Sequence, residues 1–97
     1  MPAYVISVTN KILDAEAAQR YSDLARPAAL AHGAKYLVRT TEFDVEEARG
    51  PAPARIVVIE FTDLAAAKAW YDSAEYAPAR RIASEALDRQ LLFVDSI

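Results

Sequence analysis

Cysteine is absent from the 97 residues, and the chain has one histidine and two glycines. Without thiols there is neither a disulfide framework nor a thiolate nucleophile. One imidazole without cysteine cannot complete a familiar zinc or transition-metal ligand set, so no metal site is expected. Gly33 and Gly50 cannot together build G-x-G-x-x-G, G-x-x-x-x-G-K-[ST] or G-x-S-x-G. Dinucleotide, P-loop and nucleophile-elbow chemistry are thereby excluded, and no cofactor is expected. Ser7, Ser22, Ser73, Ser84 and Ser96 all lack a histidine nearby in sequence. Long apolar runs are also missing: no stretch approaches the roughly 20 residues that cross a bilayer. The segment MPAYVISVTNKI has no basic region followed by an apolar run, so it does not read as a secretory leader. A cytoplasmic location without membrane partners is the expectation. The 11 basic and 14 acidic residues are scattered and give a net charge of −3, which offers no attractive field to nucleic acid.

Hydrophobic residues make up 54% of the chain and charged residues 26%, which argues for a folded domain over a disordered one. The length fits a single domain over residues 1–97. Tyr4 to Thr9 is rich in β-branched residues and reads as a first strand. Asp14 is placed to cap a helix whose apolar side carries Ala17, Tyr21, Leu24, Ala28 and Ala31 at helical spacing. Pro27 falls inside that pattern and is predicted to kink or break a turn, because it has no amide hydrogen and crowds the Asp23 carbonyl. His32-Gly33 ends the helix. A second strand runs from Ala34 through Arg39, with an extension toward Val45 left open. Glu46 to Pro53 reads as a connector, and Ala54 to Phe61 as the strongest strand. Thr62 or Asp63 caps the next helix, which runs to Tyr71 with Ala66, Ala67 and Trp70 inward. Ser73 caps a further helix from Glu75 or Tyr76, with Pro78 in its first turn and Ala79, Ile82, Ala83, Ala86 and Leu87 on its apolar side. Leu91 to Val94 is the last strand.

The order β-α-β-β-α-β with one added short helix predicts an α+β domain. It is the split βαβ, or ferredoxin-like, arrangement with a four-stranded antiparallel sheet. Helices on one side of a sheet leave the other side bare, and strand side chains alternate between the two faces. Here both faces are apolar: Ile56 and Val58 oppose Val57, Ile59 and Phe61, and Leu91 and Phe93 oppose Leu92 and Val94. A monomer would expose a broad apolar patch, so a homodimer packed sheet against sheet is expected. The alternative is the third helix or the connector folding across that face.

Polar residues near the sheet ends are the candidates for chemistry. Arg39 and Glu60 fall on neighbouring strands, where they either pair, hold a polar ligand or stay solvated at the rim. An imidazole is the side chain best suited to proton transfer near neutrality, which recommends His32, yet its place before a terminating glycine also suits helix capping. Tyr21 and Tyr76 are pocket candidates with an apolar body and a polar tip. Trp70 reads either as core or as a pocket wall. Arg80, one helical turn after Tyr76, can supply a cation to an acidic ligand. If the protein is an enzyme, His32 transfers a proton and Arg39 stabilises developing negative charge. Tyr21 or Tyr76 then orients a small metabolite, without a cofactor. The competing class is a non-catalytic ligand-binding or stress-related dimer.

Taken together, Tyr36-Leu37-Val38-Arg39, Ile56-Val57-Val58-Ile59-Glu60-Phe61 and Ala69 to Tyr76 resemble a bacterial family called domain of unknown function number 1330. The resemblance runs from the Tyr4 strand to Phe93-Val94. It implies a dimeric α/β barrel, in which two ferredoxin-like subunits pack their sheets face to face. Related barrels include cofactor-free monooxygenases, stress-responsive proteins, isomerases and decarboxylases. The family usually has glycines after the second-strand arginine. This chain has Thr40-Thr41, expected to bulk up a site near Arg39.

Overall fold

The computed structural model describes residues 1–97. Seven elements follow one another: β1 (Ala3–Ile12), α1 (Ala15–Ala31), β2 (Lys35–Thr40), β3 (Arg55–Phe61), α2 (Leu64–Tyr71), α3 (Ala77–Ala86) and β4 (Leu87–Asp95). The β-branched cores of β1 and β3 pair side by side at the centre of a four-stranded antiparallel sheet ordered β2-β3-β1-β4. This is the ferredoxin-like α+β topology: each βαβ unit is split by the insertion of a third strand. The 17 Å short dimension of the Cα envelope fits one layer of helices on one sheet. No helix is long and apolar enough to cross a membrane.

Helix α1 starts where the Asp14 carboxylate accepts from the Ala17 amide at 3.1 Å. It ends where Gly33, at φ +78°, lets the Gly33 and Ala34 amides donate back to the Leu30 and Ala29 carbonyls. The helix runs on through Pro27, so of the kink or broken turn expected there the break does not occur. Pro27 is exposed, while Ala25, Ala28 and Ala29 around it are buried, so packing holds the turn that lost a hydrogen bond. The buried stripe is Ala17, Ala18, Tyr21, Ala25, Ala28 and Ala29, shifted from the predicted one: Leu24 and Ala31 face outward. Small residues decide this orientation. The alanine faces of α1 and of α3 (Ala79, Ala83 and Ala86) are both buried where the two helices meet, and alanine permits close approach.

Other boundaries also moved. β2 stops at Thr40, whose hydroxyl accepts from the Glu42 amide and donates to the Glu42 carbonyl, turning the chain away. Asp63, not Thr62, caps α2 by accepting from Ala66 at 2.8 Å. Ser73 closes the turn before α3, accepting from the Tyr76 amide and donating to the Trp70 carbonyl, and the helix begins at Ala77. β4 begins at Leu87, earlier than predicted, which draws Arg89 into the sheet.

On the outer face the registers align Val38, Val58, Ile6 and Leu92 in one row across all four strands. Tyr4, Val8, Ile56 and Val94 extend this apolar area, and Leu92 is 44% exposed and Val38 40%. Helix α3 packs against α1 instead of across this face.

Candidate functional site

The helix-covered face of the sheet is not a uniform core. It encloses a cavity of about 240 Å³ between α1 and strands β1 to β4. Registers order its floor. Arg55 of β3 lies opposite Thr9 of β1, which lies opposite Arg89 of β4. The next inward-facing row is Arg39, Val57, Ser7 and Leu91, and the row after it is Tyr36, Ile59, Val5 and Phe93. The floor therefore grades from cationic to apolar over a few residues.

A β-bulge makes this possible. The β2–β3 register passes from Tyr36↔Ile59 to Val38↔Val58, leaving Leu37 as an extra residue. An inserted residue reverses the alternation beyond it. Tyr36 and Arg39, three apart in sequence, thus share the inner face. Arg39 Nη2 donates to Ser22 Oγ of α1 at 3.3 Å. Glu60 takes the outer face, opposite Tyr4 and Lys35, so of the alternatives open from sequence an Arg39–Glu60 pair does not form.

Four guanidinium groups line the cavity, from Arg26, Arg39, Arg55 and Arg89, against a single carboxylate, Asp23. Asp23 accepts from Gln19 Nε2 at 3.0 Å. Neither ion pair of the chain, His32–Glu75 or Arg80–Asp72, involves any of the four arginines. Arg26 lies 5.6 Å over the Tyr36 ring. Arg55 Nε is buried with no hydrogen-bond partner. Burial, and then the charge of Arg39, lowers the Arg55 pKa. Arg89 is better provided for: it donates to Tyr21 Oη at 2.9 Å and to Tyr76 Oη at 3.1 Å. Burial opposes its charge, but the two tyrosine oxygens more than offset this and its pKa is raised.

The aromatic wall continues behind these groups. Tyr21 and Tyr76 share a hydrogen bond of 2.8 Å, and Trp70 packs on Tyr76 with ring centroids 4.2 Å apart. Burial, with Tyr21 adding to it, pushes the Tyr76 pKa far up; burial likewise raises that of Tyr36. Trp70 meets both sequence readings, since it is buried in the core and also lines the cavity with its Nε1 unpaired.

Of the residues singled out from sequence, Arg39, Tyr21 and Trp70 come together at the cavity, with Tyr76 bonded directly behind Tyr21. His32 does not join them. It is the C-cap residue of α1, roughly 9 Å along the helix from Arg26 at 1.5 Å per residue, with Nε2 3.7 Å from Glu75. Arg80 borders a separate, more open depression between α3 and β4, where it stacks 3.9 Å over Tyr71 and faces Asp72. Thr40 lies opposite Ile56 on the outer face and does not crowd the cavity. Sequence reasoning missed Arg26, Arg55, Arg89 and Ser7. For Arg89 a signal existed: Leu87, Arg89, Leu91 and Phe93 alternate inward, so a charge stands in an apolar series. No cluster of three or more acidic or histidine side chains is gathered as a metal site.

Fold and site together define a two-layer ferredoxin-like domain with an arginine-lined cavity between its layers. The chain belongs to the family described as Domain of unknown function (DUF1330), whose model matches residues 2–97. Among solved structures it is similar to a protein of unknown function from Rhodopseudomonas palustris, with TM-score 0.82 and 16% identity over 99% of this chain and 82% of that one. It is also similar to a dimeric ferredoxin-like protein of unknown function from Thermobifida fusca (TM-score 0.62, 18% identity, 99% and 92% covered). A third is SnoaB, a cofactor-independent oxygenase from Streptomyces nogalater (TM-score 0.63, 13% identity, 98% and 91% covered). At such identities the shared property is the fold. No curated protein matches the chain in sequence.

Proposed function

We propose that the protein is a homodimer paired through its outer sheet face, and that each subunit binds a small organic anion in the cavity. The observation that carries the binding reading is the charge imbalance: four guanidiniums face one carboxylate, and Arg39, Arg55 and Arg89 lack any acidic partner. Arg55 and Arg89 are half-buried cations without a counter-charge, which is costly, and an anion that fits between them and the more exposed Arg39 relieves the cost. Planar guanidiniums suit carboxylates, with two parallel hydrogen bonds each. The gradation of the floor orients the ligand, with its acid group toward Arg39, Arg55 and Arg89 and its apolar body toward Tyr36, Ile59 and Trp70.

The apolar outer row supports the dimer, because soluble monomers rarely expose such a contiguous patch. The description of the Thermobifida fusca neighbour as dimeric accords with this.

In this reading Arg39, Tyr21 and Trp70 contact the ligand and Tyr76 supports Tyr21. His32, Glu60 and Arg80 serve elsewhere. Binding is favoured over acid–base catalysis because the cavity wall offers no imidazole, and its one carboxylate is already bonded to Gln19. A substrate arriving as an enolate or phenolate would need no base from the wall, which is the form an enzymatic role would take. The test is a thermal-shift series with benzoate and hexanoate against benzamide and hexanamide. The acids are expected to stabilise the protein, by about 1.4 kcal/mol at ten times Kd, and the amides to do nothing. Equal stabilisation by acids and amides would remove the charge argument.

A further inference from the structure

We propose that Tyr21 determines which ligand atom the cavity accepts, acting as an obligatory hydrogen-bond donor whose proton is turned inward by Tyr76 and Arg89. The inference deepens the anion-binding reading and rests on it for the ligand; the direction of the proton follows from the protein alone.

Tyr76 is fully buried, and its hydroxyl has two neighbours: Tyr21 Oη at 2.8 Å and Arg89 Nη2 at 3.1 Å. A guanidinium only donates. The Tyr76 proton therefore has one acceptor, the Tyr21 oxygen. The opposite assignment, Tyr21 donating to Tyr76, strands the Tyr76 proton in the core without an acceptor, which is the costlier arrangement. Tyr21 Oη thus receives Tyr76 and also Arg89 Nη1, at 2.9 Å. Both phenol lone pairs are then occupied. The remaining Tyr21 proton has to be given away, and Tyr21, unlike Tyr76, lines the cavity.

Tyr21 consequently gives a hydrogen bond and cannot take one. The ligand atom that meets it is an acceptor, such as a carboxylate, enolate or carbonyl oxygen. An ammonium group at the same place, itself only a donor, finds no lone pair. Arg39 and Arg55, also donors only, enforce the same choice from the floor.

The protein labelled with ¹³Cζ-tyrosine gives the direct test, because a slowly exchanging hydroxyl shows separate OH and OD signals in mixed water. Tyr76 is expected to show the resolved pair and Tyr21 a single averaged signal. A resolved pair at Tyr21 with averaging at Tyr76 would reverse the donor order and overturn the proposal. Benzoate and benzylamine then probe selectivity. Benzoate is expected to bind and to lose about ten- to a hundredfold in Tyr21→Phe, the usual worth of a charged hydrogen bond. Benzylamine is expected not to bind. Wild-type uptake of benzylamine as tight as that of benzoate overturns the selectivity. Benzoate binding that falls in Arg39→Met but is unchanged in Tyr21→Phe overturns the role of Tyr21 and leaves the anion reading standing.

Discussion

Arg55 lies half-buried in the cavity wall with its Nε enclosed and unbonded, and Arg39 adds like charge to the burial that already depresses its pKa. Replacement by methionine keeps most of the apolar stem and removes both the orphaned donor and the repulsion. A buried donor left unpaired costs about 1–3 kcal/mol, so a net gain of about 1 kcal/mol is a conservative expectation. For a domain of this size that corresponds to a Tm increase of about 4–8 °C. The sign holds across the ordinary pH range. A lowered arginine pKa is a penalty that persists while the group is charged, and it fades only as pH climbs through the folded pKa, far above neutrality. The same substitution is expected to weaken benzoate about tenfold or more, since one charged hydrogen bond is lost. Thermal unfolding at one fixed protein concentration, with and without benzoate, measures both effects, the fixed concentration being needed because the Tm of the proposed dimer would depend on it. Loss of stability together with undiminished binding would refute the reasoning, because Arg55 would then be satisfied within the protein.

Alkaline stability tests the tyrosine cluster. The folded protein raises the pKa of Tyr76 and Tyr36 above the usual 10.0, so above that pH the native state holds more protons than the unfolded chain and stability falls. Each such tyrosine contributes a downward slope there, approaching about 1.4 kcal/mol per pH unit for Tyr76, whose pKa is raised furthest. Tyr76→Phe is expected to remove one of these slopes in urea titrations between about pH 10 and 11. Val58→Asp places a charge in the middle of the outer apolar row and is expected to yield a folded monomer by sedimentation, whereas an unchanged dimer would contradict the sheet-to-sheet interface. His32→Ala is expected to leave benzoate affinity unchanged, because the imidazole faces Glu75 outside the cavity; a tenfold loss measured by calorimetry would bring His32 back into the site.

Sequence legibility followed the reach of the interactions. Local signals served well: Asp14 and Gly33 bound α1 as their chemistry requires, and the two-sided oiliness of β3 does put apolar residues on both faces of the sheet. The α1 stripe was misplaced because alanines on α3, distant in sequence, chose which face turned inward. The site was less legible still. Counting by twos from Tyr36 sends Arg39 to the outer face, and only the extra residue at Leu37 brings it back. Arg55 and Arg89 meet across Thr9 through registers that alternation within a single strand does not disclose. His32 drew attention as the lone imidazole, but a residue beside a helix-ending glycine already has a structural position to fill.

Native mass spectrometry of the freshly purified protein, followed by release and identification of whatever it carries, tests the central claim most directly. The expected species is a dimer with one small organic acid per subunit, and loss of that acid in the double variant Arg39→Met, Arg55→Met. A bound molecule that is neutral, or one that the double variant retains undiminished, would contradict the claim that the cavity is built around an anion.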